Sequence, residues 1–593
     1  MIITMDQRKK LAATALGKLK ADVVIQKGTL INVHSNETLP DIDIAIKAGC
    51  IAYIGEASHL IGSATEVIQA HGRFLTPGLI DGHMHVESTM MSVTEFAKSA
   101  IKQGTTTIFM DPHEIANVFG LEGVRWMHEE GQQLPLRVST TIPSCVPATE
   151  DLEDAGAELT IKDIEEGLTW NNVSGLGEVM NFPGVIHGDE KMTGEIDATI
   201  RAGKTVTGHM PAEDPAMLQA YIASGVTSCH ETVTREQAIE KLRLGMHVMI
   251  REGSAWQDVK QLAPIITKDH MPTDNLSLIT DDVYPQTLVS KGHLNHVVRR
   301  AIEEGIDPLV ALKLATINIA HYFNCGDTLG SLSPGKHADI LMIDDLEEMK
   351  PSTVVIGGKM VYDQGNYLVS FPEYRYPDKA KNSVHLKEPL KAEDFYPKSA
   401  QKNKTEVQVI DIIENNARTK KGKAELHVKD GIIESDVTND VIRLTCIDRH
   451  HGSGDISHGF ARGFQLKSGA VASTVAHDSH NLLVMGVSEE DMAIAANHLA
   501  EIGGGMAAVE NGQILASVPM PIAGLMSEEP LETVAAQVEK LEEAWKKLGC
   551  PIHAPFMTFS LIALPVIPSL RITNRGLADV DSFALTPLEI NEQ

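Results

Sequence analysis

The chain has 593 residues, more than one domain accommodates, so at least two folded units are expected. Apolar residues make up 43% and charged residues 22%, a globular composition that excludes disordered and fibrous classes. Lys plus Arg total 51 against 80 Asp plus Glu, and the resulting net charge of −29 opposes binding to nucleic acid or to an anionic membrane surface.

Residues 1–20 read as an amphipathic N-terminal helix. Its Leu/Ala stretch is interrupted by Gly17 and Lys18, which a signal-peptide core would not tolerate. No window approaches the ~18 uninterrupted apolar residues that a membrane span needs. Six cysteines lie far apart with no C-x-x-C, which fits reduced thiols in a cytoplasmic protein. Residues 21–78 then carry short runs of period-two apolar spacing, broken by Gly, Asn and Pro, as strands joined by turns. The same texture returns within 330–385, so the two segments are expected to pair into one small β-sandwich domain beside whatever lies between them.

Between them, residues 79–329 alternate regularly. Strands are predicted at Leu79–His85, Thr105–Asp111, Leu136–Ile142, Val173–Val179, Thr205–His209, Val226–His230, His247–Ile250 and Leu276–Asp281. Helical stretches such as TIKDIEEGL and TREQAIEKLRLG separate them, with cap-forming residues at their starts. Eight such units over ~250 residues are the arithmetic of an α/β fold of the (β/α)8 barrel type. No G-x-G-x-x-G follows the first strand, which argues against a doubly wound sheet. Residues 386–405 are Pro- and Lys-rich and aperiodic, as in a linker. Residues 406–593 form a C-terminal α+β domain, with helices at 488–502 and 529–548.

The strongest chemical signal is PGLIDGHMHVEST. His83 and His85, spaced i, i+2 at a strand end, project from one face. At the C-terminal mouth of a barrel they meet Glu178, His209, His230 and Asp281, each at the end of its own strand. Four imidazoles and two carboxylates can hold two divalent metals with one carboxylate bridging. Asp111, His113 and Glu114 end the second strand at the same mouth, placed for substrate or for support of a metal ligand. In the C-terminal domain His477, Asp478 and His480 follow closely on His450, His451 and His458, a density that suits the mouth or another metal. GGG at 503–505 follows a helical stretch and reads as a helix end.

These residues, with the return motif GSLSPGKHADILMID, resemble the amidohydrolase superfamily from about residue 20 to 385. The fourth strand offers Glu178 and no lysine, so the resemblance implies a glutamate-bridged variant. HMHVESTMM, FMDPHEIANV, GEVMNFPGVI, ITDDVYP and AHDSHNLLVMG are similar to the bacterial adenine deaminase family over essentially the whole chain. That resemblance implies a homodimeric enzyme with manganese or ferrous iron, zinc also being compatible, that converts adenine and water to hypoxanthine and ammonia. It further implies metal-bound hydroxide attacking C6, with Asp281 shuttling the proton to the leaving ammonia. Candidates for the acid that protonates N1 are Glu231, next to His230, and Glu87, two residues beyond His85, each of which also suits a supporting or helix-capping carboxylate. Two other readings stand beside it. One is another amidohydrolase reaction such as deacetylation of an N-acetyl sugar phosphate, which needs a cation for the phosphate. The other is a non-catalytic barrel, which would normally have lost ligands.

Overall fold

The structure is a computed structural model that describes residues 3–211, 214–413 and 416–590. Its centre is built from eight parallel strands: β1 (Leu79–Met84), β2 (Thr105–Met110), β3 (Arg137–Ile142), β4 (Val173–Val179), β5 (Thr205–Gly208), β6 (Ser228–Cys229), β7 (His247–Arg251) and β8 (Leu276–Ile279). Strands β1 to β5 form one parallel sheet and β6 to β8 another. Two seams join them into a barrel. The Thr227 N–H donates to the Val206 carbonyl at 3.1 Å between β5 and β6, and the Asp281 N–H donates to the His83 carbonyl at 3.2 Å between β8 and β1. Every residue of β1 and β2 is buried, as expected for parallel strands covered on both faces. The connecting helices start where the cap residues predict. Thr160 with Asp163 and Thr234 with Gln237 form reciprocal capping boxes, each cap worth ~1 kcal/mol.

The β-rich segments on either side of the barrel do meet. Strand Ile340–Ile343 pairs antiparallel with Phe74–Pro77, joining both segments in one nine-stranded sheet. The N-terminal helix, Met5–Ala15, is capped by Thr4. Beyond the small sheet the chain runs as a strap pinned by side chains. The Tyr376 hydroxyl donates to Glu130 at 2.5 Å, buried Arg449 donates to the Ser383 carbonyl at 2.9 Å, and the Leu390 backbone exchanges two hydrogen bonds with the Asn497 side chain.

The C-terminal unit is a second nine-stranded sheet with the helices Glu489–Glu501 and Leu531–Lys547 and a three-stranded sheet over Leu570–Thr586. It sits over the barrel mouth. The Ser527 N–H donates to the Met90 carbonyl at 2.9 Å, the Thr573 hydroxyl to the Leu152 carbonyl at 2.6 Å, and the Arg575 guanidinium grips Asp154 at 2.6 and 3.0 Å. Among the described residues, no helix is long and apolar enough to cross a membrane.

Candidate metal centre

The alternation of β1 does what its sequence requires: His83 and His85 emerge on one face, with ring centroids 4.7 Å apart. The His85 Nδ1–H donates to the Asp111 carbonyl at 2.9 Å, which fixes the tautomer and leaves Nε2 as a lone pair facing the mouth. That nitrogen lies 3.3 Å from Asp281 Oδ1 and 3.5 Å from Glu178 Oε1. His83 Nε2 lies 3.7 Å from the same Asp281 oxygen, is buried, and has no hydrogen-bond partner among the described residues. The His83 ring stacks on His230 at 4.1 Å. The other Glu178 oxygen, Oε2, lies 3.0 Å from His230 Nε2 and 2.6 Å from His209 Nδ1. One carboxylate therefore faces two sets of imidazoles, one oxygen to each.

Several of these separations are too long for hydrogen bonds yet close to the ~3.0–3.4 Å expected between neighbouring donors around an ion with ~2.0–2.1 Å bonds. An orphaned buried imidazole nitrogen is costly unless something fills its lone pair. The six residues form overlapping groups whose donor atoms lie within 4.8 Å of one another: His83, His85 and Glu178; His83, His230 and Asp281; and Glu178, His209 and His230. Imidazole and carboxylate together suit a first-row divalent cation, so these residues can bind one.

A layer of buried groups holds these donors in place. Asp111 Oδ2 accepts from the Glu178 N–H at 2.8 Å, and Gly177 permits the approach, since a Cβ there would lie 2.5 Å from that oxygen. Asp81 accepts from the Thr280 hydroxyl at 2.6 Å, tying β1 to the residue before Asp281. Tyr221 Oη donates to the Val179 carbonyl at 2.5 Å and accepts from the His209 N–H at 3.1 Å. Lys241 is buried and donates to the Met210 and Glu231 carbonyls at 3.0 and 2.9 Å and to the Thr232 hydroxyl at 2.9 Å, joining the loops that carry His209 and His230. Arg251, at the end of β7, donates through Nη1 to Glu231 at 2.5 Å and Asp281 Oδ2 at 3.0 Å, and through Nε to Asp258 at 2.8 Å.

Sequence reasoning missed Arg251, Asp81, Lys241 and Tyr221. Only Arg251 left a signal, a charged residue closing an apolar strand at the same register as the ligands.

The charge balance follows from these contacts. Burial would raise the Asp281 carboxyl, but His85, His230 and Arg251 hold it well below the usual range. Burial likewise opposes ionisation of Glu231, and Arg251 with His209 and His230 overcomes it, so this carboxyl is lowered. Glu87 differs: burial, with Glu114's charge adding, pushes its carboxyl up to about 7. The two carboxyls also face different spaces. Glu231 lines the cavity with the ligands, whereas Glu87 lines a neighbouring apolar cavity with Tyr284, Phe556 and Met557. Glu87 is anchored by the Ile115 N–H at 3.3 Å.

His113, Glu114, His477, Asp478 and His480 gather as a second cluster between the barrel and the C-terminal unit. The histidines just before them serve the C-terminal fold: the His450 ring bonds the Ser479 carbonyl at 2.7 Å, His458 bonds Thr445 at 3.3 Å, and His451 is exposed. Apolar side chains complete the ligand cavity, with Met180 and Trp256 from the barrel and Leu561, Leu564 and Ile567 from the C-terminal unit.

A parallel barrel with His-x-His at the end of its first strand, Glu, His and His at the ends of the fourth to sixth, and Asp after the eighth defines the amidohydrolase class, and residues 74–361 match the Amidohydrolase family. Residues 416–584 match the Adenine deaminase C-terminal domain. The chain is 49% identical to adenine deaminase of Moorella thermoacetica over 98% of both chains, and 47% identical to that of Clostridium botulinum over 98% of both. It is 47% identical to adenine deaminase of Mesorhizobium japonicum over 97% of this chain and 95% of the other. The chain belongs to the adenine deaminase family.

Proposed function

We infer that this chain hydrolyses adenine to hypoxanthine and ammonia. The observation that carries the reading is near-complete similarity to adenine deaminases that includes the C-terminal unit roofing the metal cavity. Two divalent cations per chain, manganese or ferrous iron with zinc also compatible, would be held by His83, His85, Glu178, His209, His230 and Asp281, with Glu178 between them. Bound there, they supply water acidified toward neutrality.

The protein's own groups divide the rest of the work. Asp281 has Oδ2 committed to Arg251, so Oδ1 is the atom that takes the proton of the water adding at C6 and returns it to the departing amine. Glu231, partly exposed to the cavity and held ionised by Arg251, is placed to accept a hydrogen bond from a protonated N1, and Glu87, in the neighbouring cavity, is not. Met180, Trp256 and the leucines of the roof cover an uncharged ring and exclude bulk water. Arg251 is the sole Lys or Arg side chain lining this cavity among the described residues, and three carboxylates already share it. A sugar phosphate finds no spare cation here, which favours the neutral base. A homodimeric, cytoplasmic enzyme of purine salvage is the setting this reading implies.

The test is direct. Metal-loaded protein incubated with adenine should release ammonia and hypoxanthine in equal amounts. Absence of turnover with adenine, alongside hydrolysis of an acylated amino sugar, would overturn the assignment.

A further inference from the structure

The cluster between the barrel and the C-terminal unit lines the same cavity as His85, Glu178, His209, His230 and Asp281 and meets them through His113, whose Nδ1 lies 3.4 Å from Glu178 Oε1, but its remaining donor atoms converge on a point of their own. His113 and Glu114 open the helix after β2, and His477 and Asp478 lie in the turn after the strand Ala470–Ser473. All four are buried. His477 Nδ1 lies 3.0 Å from Glu114 Oε1 and 3.6 Å from Asp478 Oδ1, while His113 Nε2 lies 3.5 Å from Glu114 Oε1 and 3.9 Å from Asp478 Oδ1. The four donor atoms lie within 4.8 Å of one another. One of these separations suits a hydrogen bond; the other three do not. A tetrahedron of N and O donors at ~2.0–2.1 Å from an ion has edges of ~3.3–3.4 Å, which the four measured values bracket.

Three further observations point the same way. Asp478 presents Oδ1 to the cluster, and its Oδ2 is buried with no hydrogen-bond partner among the described residues, so this carboxylate keeps an unfilled acceptor beside Glu114, with imidazoles facing both. His480 accepts the Ala476 N–H through Nδ1 at 3.3 Å, so its ring proton sits on Nε2, which faces Glu114 Oε2 and leaves Oε1 turned into the cluster. Ser560 accepts the His477 N–H at 3.3 Å and so steadies the turn that carries two of the donors. Such support behind the donors is what ligating side chains require.

We propose that His113, Glu114, His477 and Asp478 form a third cation site, taking a first-row divalent ion in tetrahedral coordination and clipping the C-terminal unit to the barrel. Two donors come from each unit, so the ion ties together parts that otherwise meet through hydrogen bonds and side-chain packing. The proposal rests on these four donors alone and does not depend on the catalytic reading of the neighbouring centre.

The experiment counts ions. Full-length protein is stripped with chelator, reloaded with excess Zn2+, desalted, and its zinc measured by mass spectrometry. Wild type should hold one more ion per chain than a His477→Asn, Asp478→Asn variant, and a His83→Asn, His85→Asn variant should keep that additional ion. Zinc should also raise the Tm of wild type by more than that of the His477→Asn, Asp478→Asn variant. Anomalous scattering at the zinc edge from wild-type crystals should show a peak among the four side chains, and this measurement decides the matter if the variant fails to fold. Equal ion counts in wild type and the folded variant, or no anomalous peak among these donors, would overturn the proposal.

Discussion

Replacing Arg251 by Met keeps most of the apolar stem of the side chain and removes the guanidinium with its charge. Arg251 is 3% exposed, and its guanidinium makes three charge-assisted hydrogen bonds, at 2.5, 3.0 and 2.8 Å, to Glu231, Asp281 and Asp258. Each such bond is worth ~1.5–3 kcal/mol, but they share one group and do not add. The relevant figure is the cost of stranding buried charge, ~3–5 kcal/mol. Arg251→Met should therefore lower the unfolding free energy by about that amount, read as a shift in the urea midpoint at unchanged slope.

Turnover should fall as well, because Asp281 Oδ2 loses its anchor and Oδ1 its aim. Loss of such a partner behind a ligand costs ~10–100-fold. Arg251→Lys should recover only part of both, since an ammonium cannot span the three carboxylates in the same fork. Asp258→Asn is the comparator: Asp258 touches the Nε side of Arg251, away from Asp281, so stability should drop while turnover stays within a few-fold. If Arg251→Met unfolds within ~0.5 kcal/mol of wild type and turns over within twofold, the reasoning from buried charge fails, since effects that small are those of an ordinary surface change.

Four other outcomes follow. Glu178→Gln should lose or scramble the paired ions, because its two oxygens face different imidazoles; full occupancy by metal analysis would show the bridge to be elsewhere. Asp281→Asn should retain most of the metal and lose turnover by at least ~100-fold, the scale of a positioned proton-transfer group, in a steady-state ammonia assay. Lys241→Met should cost ~3 kcal/mol of stability by leaving the Met210 and Glu231 carbonyls to share the weak Cys229 thiol as donor and should disturb His209 and His230, which chemical denaturation together with metal analysis would detect. Glu195 is buried in the helix Glu190–Arg201 with Lys191 3.4 Å away, and burial outweighs that lysine to push its carboxyl up to about 8. The folded state then holds a proton that the unfolded state has released, so between the unfolded value near 4.5 and about 8 stability falls with rising pH, by at most ~1.4 kcal/mol per unit. Glu195→Gln should be more stable than wild type at pH 8 and approach it near pH 5; a stability gap that does not change between those pH values would contradict the shift.

The local rules written in this chain settle a good deal. Strand alternation places His83 and His85 on one face wherever that strand goes, and the recurrence of strand, helix and Gly-terminated turn specifies a barrel. Glu178, His209, His230 and Asp281 are legible because a parallel barrel brings every strand's C-terminal end to one mouth. What the sequence leaves open is which distant groups meet behind that mouth. Arg251 reads as a charge closing an apolar strand, and Lys241 as the basic end of an amphipathic helix. Only closure of the barrel shows the first shared by three carboxylates and the second sealed under two ligand loops. Glu87 and Glu231 look equivalent along the chain, and packing separates them into different cavities. His477 and Asp478 meet His113 and Glu114 only because the C-terminal unit docks on the mouth. Periodicity is a property of neighbours in sequence, and so it is readable there. The partner of a buried charge is chosen by burial itself, which brings remote residues into one low-dielectric space, and that choice exists only in the folded molecule.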